Sequence, residues 1–117
     1  MNNKFDSEEA KNFLLAREER EKQQREEERT SVLPKVVAIL EKEFKGSSVE
    51  VYLIGSILKP FGFSSRSDVD IVLKNYKDDR FDFWAKLERK LGRKVEIILF
   101  ETCSFQEFVL KGGFKVV

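Results

Sequence analysis

Leu53-Ile54-Gly55-Ser56 and, after eleven intervening residues, Asp68-Val69-Asp70-Ile71-Val72-Leu73 decide how this chain folds. The first segment reads as an apolar strand ending in Gly-Ser. The second, led in by Ser67, reads as a strand that opens with two carboxylates one residue apart. Side chains alternate across a strand, so Asp68 and Asp70 share one face while Val69, Ile71 and Leu73 share the other. The apolar face is then available to helices, and the carboxylates stay together at the strand's start. A third segment, Lys94 to Phe100, repeats the pattern, with Val95, Ile97 and Leu99 on one face and Glu96 opposite. If the second and third strands are neighbours in register, Asp68, Asp70 and Glu96 converge on one edge of the sheet.

Working outward, helical patterns alternate with these strands. Leu33, Val36, Val37, Leu40 and Phe44 form a core-facing helical stripe, closed by Gly46. Thr30-Ser31 is expected to cap that helix, placing Pro34 in its first turn, where a missing N–H costs nothing. A further helix is expected from Arg80 to Leu91, with Phe83, Trp84, Leu87 and Leu91 on one side and Gly92 at its end. A short last helix carries Phe105, Phe108 and Val109, capped by Ser104 and broken by Gly112-Gly113 before an apolar tail.

Upstream, Asp6 to Arg29 reads as a separate helix opened by an Asp6-x-x-Glu9 capping pair. Its first half carries Phe13, Leu14 and Leu15, but every residue from Arg17 to Arg29 is charged or Gln. The i,i+4 pairs Glu18/Lys22 and Glu21/Arg25 support it, although it lacks an apolar stripe. The expected organisation is therefore a charged helical extension over residues 1–30 and one domain over residues 31–117. The fold class is α+β, a two-layer arrangement of a small mixed sheet flanked by helices.

Composition narrows the chemistry. A chain of 117 residues has room for one core, and its net charge of +1 makes no case for wholesale nucleic-acid binding. No apolar stretch is long enough to span a membrane and no signal-peptide pattern is present, so a cytoplasmic location is expected. Cys103 is the single cysteine and cannot form an internal disulfide. Histidine is absent altogether, which removes Ser-His-Asp and Cys-His nucleophile systems and His-containing zinc sites.

What remains suits phosphate chemistry with a hard cation. Three crowded carboxylates repel one another unless a cation sits among them, and magnesium prefers a few carboxylates plus phosphate oxygens and water. Gly55 lets a phosphate approach the backbone, and successive N–H groups with the Ser56 hydroxyl can hold its oxygens. Lys59 and Arg66, flanking the connecting loop, could neutralise further phosphate charge, and Ser67 beside them is a further expected contact to the phosphate-bearing ligand.

The ordered set Leu53-Ile54-Gly55-Ser56, Asp68-Val69-Asp70-Ile71 and Val95-Glu96-Ile97 resembles the signature of the polymerase-beta-like nucleotidyltransferase superfamily. The short length and the charged helix running into Val32-Leu33-Pro34-Lys35-Val36 resemble its minimal members. Glu96 stands where Asp is commonest, and Ile57-Leu58-Lys59-Pro60 stands where many members carry a small residue followed by Arg-Gly. What the resemblance implies is an antitoxin that uses ATP and Mg2+ to transfer AMP to a tyrosine of a helical HEPN ribonuclease toxin. Gly55 and Ser56 would hold the triphosphate, Asp68 and Asp70 the metal, and Glu96 would be the third carboxylate, a metal ligand or proton acceptor. The competing reading is a nucleotidyltransferase-fold binding module that neutralises its partner by complex formation. A third is a small-molecule nucleotidyltransferase completed by a separate helical subunit. Either homo- or hetero-oligomers are compatible with the sequence.

Overall fold

The computed structural model describes residues 7–117. The elements are α1 (Ser7–Phe44), β1 (Glu50–Ile54), β2 (Val69–Lys74), α2 (Arg80–Leu91), β3 (Val95–Leu99), α3 (Gln106–Gly112) and β4 (Phe114–Lys115). Single 3-10 turns, Gly55–Leu58 and Phe100–Thr102, follow β1 and β3. The sheet order is β3-β2-β1-β4, with β1 antiparallel to both β2 and β4 and β2 parallel to β3. The fold is α+β, a mixed four-stranded sheet flanked by helices.

Alternation along the strands assigns the two faces. Val51, Leu53, Val69, Ile71, Leu73, Val95 and Ile97 point toward α1 and α2, where they meet Val36, Leu40, Phe44, Phe83 and Leu87. Each such side chain removed from water contributes about 1.5–3 kcal/mol, so this face carries most of the stability. The opposite face carries Tyr52, Ile54 and Val72, covered at one end by Phe100 and Val109. Phe44, Tyr76 and Phe83 pack edge-on or tilted at the open end of α2, with centroids 5.2–6.2 Å apart.

Several boundaries follow from local chemistry. The Asp79 side chain accepts a hydrogen bond from Phe81 N at the start of α2, and Gly92 closes the helix in the left-handed region at φ 65°. Gly46, at φ 77°, follows the end of α1. The Trp84 indole N–H donates to the Val95 carbonyl, and Val95 N donates to the Glu88 carboxylate at 2.9 Å, tying α2 to the first residue of β3.

The structure corrects four expectations. The helix break at Thr30-Ser31 does not occur: α1 runs unbroken from Ser7 to Phe44, across the expected boundary between residues 1–30 and 31–117, and Pro34 lies inside it. Thr30 turns its hydroxyl back to the carbonyls of Glu26 and Glu27, at 2.9 and 3.2 Å, instead of capping forward. Ser104 does not cap α3, whose N-cap position is Phe105. The tail contributes β4, because Phe114 and Lys115 pair with Leu53 and Tyr52. On α1, Glu21 pairs with Arg17 at 3.2 Å and Arg25 reaches the Phe61 carbonyl instead of Glu21. The Asp6 half of the expected capping pair lies outside the described residues.

Candidate active site

The parallel pairing of β2 with β3 sets Asp70 beside Glu96, and the antiparallel pairing of β1 with β2 sets Asp70 beside Ile54. The strand end that carries Gly55 and the strand start that carries both aspartates therefore meet at one point. Gly55 has φ +85°, and a Cβ built on it would lie 2.5 Å from Asp70 Oδ2. The position is closed to other residues on two counts: the backbone is in the left-handed region, and the space is filled by the Asp70 carboxylate.

Asp70 is the half-buried member of the acidic set, while Asp68 and Glu96 are exposed. Burial, then the charge of Glu96, then that of Asp68 push the Asp70 carboxyl above the ordinary aspartate range. Glu96 and Asp68 thus both lie within electrostatic reach of Asp70. Among the described residues no three acidic side chains stand close enough to enclose a metal ion alone. Magnesium needs no such cage, since it binds through one or two carboxylates and completes its shell with substrate phosphates and water. The donor set fits that ion: oxygen ligands only, with the half-buried Asp70 carboxylate subject to the charges of Glu96 and Asp68.

The connecting loop supplies the other expected residues. Ser56 begins a turn in which Lys59 N donates to Ser56 O at 3.0 Å, and Gly62 N donates to Lys59 O at 3.0 Å in the next. Lys59 and Arg66 are exposed, while Ser67 is engaged within the loop, its hydroxyl accepting from Ser64 N at 3.0 Å. The structure brings Gly55, Asp70 and Glu96 side by side, with Asp68 in electrostatic reach of Asp70, while Ser56, Lys59, Arg66 and Ser67 lie on the segment that joins β1 to β2.

Sequence reasoning missed the groups that hold this loop. Glu26 accepts from Phe61 N at 2.9 Å, Arg25 Nε donates to Phe61 O at 2.6 Å, and Arg29 Nη1 donates to Ile57 O at 3.4 Å. Arg29 also makes a two-pronged pair with Glu26, at 2.8 and 2.9 Å. Farther along the loop, Arg93 lies over the Phe63 ring with its centroid at 4.4 Å, donates to Ser64 O at 3.1 Å and pairs with Glu28 at 3.3 Å. One signal pointed here: stepping back from Phe44 through Leu40, Val36 and Leu33 by helical spacing reaches Arg29 and then Glu26 and Arg25, a polar continuation of the buried stripe.

No family model matches the chain, and no curated protein or solved structure matches it either.

Proposed function

We propose that this chain is a magnesium-dependent nucleotidyltransferase of minimal type, which moves AMP from ATP to a hydroxyl of a partner protein. The observation that carries the reading is the in-register meeting of Asp70 with Glu96 at the point where Gly55 abuts the Asp70 carboxylate. A module that only bound its partner would need neither a glycine closely approached by a carboxylate nor a half-buried aspartate set beside Glu96. By the resemblance of its motifs, the partner is a helical HEPN-type ribonuclease toxin, the acceptor one of its tyrosines, and the chain its antitoxin.

In this reading Gly55 and Ser56 hold the triphosphate with backbone N–H groups and a hydroxyl, and Lys59, Arg66 and Ser67 line its approach. Asp68 and Asp70 would hold magnesium, which supplies charge neutralisation at the triphosphate and the departing pyrophosphate. Glu96, exposed beside Asp70, takes the proton of the acceptor hydroxyl or contributes a third ligand. The acceptor oxygen forms its bond to the α-phosphorus as the bond to the bridging oxygen breaks, and pyrophosphate leaves with that electron pair. The exposed Phe13, Leu14 and Leu15 on α1 are the apolar groups that the partner would cover.

The test is intact mass spectrometry of the neighbouring gene's product after incubation with this protein, ATP and magnesium. One or more added AMP units are expected, and Asp70→Asn should abolish them. An unmodified product, still fully inhibited by Asp68→Asn and Asp70→Asn variants, would replace the enzymatic reading with the binding module.

A further inference from the structure

The Gly55–Gly62 loop is set by α1, and its shape depends on a residue that is poorly suited to its own backbone. Lys59-Pro60-Phe61-Gly62 closes with a Gly62 N to Lys59 O hydrogen bond of 3.0 Å. Pro60 holds the second position and Phe61, at φ 62°, the third. This is the pattern of a type II turn, in which the third position calls for glycine. A bulky aromatic residue with positive φ persists only where its surroundings over-determine it.

Those surroundings are on α1. Both backbone groups of Phe61 are engaged by the helix, its N–H by Glu26 at 2.9 Å and its carbonyl by Arg25 at 2.6 Å. The Phe61 side chain is 48% exposed, so ring packing is not what holds the turn. Arg29 fixes the Glu26 carboxylate with two hydrogen bonds and reaches Ile57 O, in the 3-10 turn that begins at Gly55. Side-chain exposures of 17% for Arg29 and 23% for Glu26 place this pair largely out of water, where such bonds are stronger than on an open surface. Two turns of the loop, at Ile57 and at Phe61, are thereby tied to one patch of α1.

We infer that Arg25, Glu26 and Arg29 are positioning residues that hold the Gly55–Gly62 loop in its nucleotide-accepting shape through the backbones of Ile57 and Phe61. The assignment rests on the nucleotidyltransferase reading for what the loop accepts, but not for what holds it. A segment with no apolar residue between Arg17 and Arg29 thus belongs to the site. The acidic groups at Asp68, Asp70 and Glu96 remain outside this contact, so its loss acts on nucleotide affinity and not on proton transfer.

The experiment titrates Mg-ATP into the full chain by calorimetry and follows amide hydrogen exchange across Gly55 to Gly62. Glu26→Ala should weaken Mg-ATP by about tenfold, the scale of one lost charge-assisted hydrogen bond, and should speed exchange at Lys59. In turnover assays KM rises while kcat holds. Glu26→Gln, which keeps an acceptor for Phe61 N–H, should retain most of the affinity. Adding Phe61→Gly to Glu26→Ala should restore it, because glycine takes a positive φ without help. Wild-type affinity in both Glu26→Ala and Arg29→Ala, or no restoration by Phe61→Gly, overturns the positioning role and leaves the enzymatic reading intact. A wild-type chain that binds no nucleotide, while Glu26→Ala still loosens the loop, overturns the enzymatic reading and leaves the positioning role standing.

Discussion

Glu26 shows how much one carboxylate can organise. Arg29's hydrogen bonds first, and the Phe61 N–H second, pull its pKa from 4.5 down to about 2. A carboxyl whose pKa is lower folded than unfolded stabilises the fold above its unfolded value, and that stabilisation fades as pH falls through the folded one. Wild type should therefore resist urea better than Glu26→Gln at neutral pH. The gap should shrink below about pH 4.5 and vanish near about pH 2; an undiminished gap in acid would show that the charge on Glu26 is not what matters. At this scale the acidic site was legible and Glu26 was not. Asp70 and Glu96 follow from alternation along two short strands, a local rule. Glu26 meets Phe61 across 35 residues of chain, and nothing in the composition of a charged helix announces which of its carboxylates has a distant partner.

Among the elements, α1 departs furthest from expectation. Ser and Thr before a proline read as a helix start, because Pro is welcome in a first turn and costly in an interior. Here contacts on both sides outweigh that preference: Arg25 to Arg29 are tied to the loop, and Val36, Leu40 and Phe44 are buried under the sheet. A break between them would force one set to let go. Pro34 is exposed and contributes no hydrogen bond through its nitrogen, so Pro34→Ala should stabilise the protein by up to about 3 kcal/mol. Chemical denaturation measures this directly, and a loss of stability would mean that the proline is needed at that turn. The strands and α2 were legible to within a residue or two, since apolar alternation and the Gly92 stop are written locally. β4 was not, because a pair as short as Phe114 and Lys115 carries no periodicity of its own.

The whole molecule is elongated, 72 × 29 × 20 Å with a radius of gyration of 19.1 Å, where a compact chain of this length would have about 13 Å. The length comes from α1, whose residues 11–21 are all exposed, Phe13, Leu14 and Leu15 among them. No helix among the described residues is long and apolar enough to cross a membrane. A chain starting at Arg17 should match the full chain's stability within about 0.5 kcal/mol, the usual effect of surface changes away from packed features. A large fall in melting temperature would show that the exposed turns support the core. The mixed sheet and its flanking helices were readable from sequence because each element buries one face. The shape was not, since no residue pattern reports how far a solvated helix stands clear of its domain. Mechanically, α1 is a lever. Its carbonyl-to-amide ladder runs from Phe13 to Arg29, about 24 Å at 1.5 Å per residue, and the one missing rung lies just beyond, at Pro34. Between the free arm and that rung stand Arg25, Glu26 and Arg29, so the loop leading to Asp68 is fastened where the arm meets the domain.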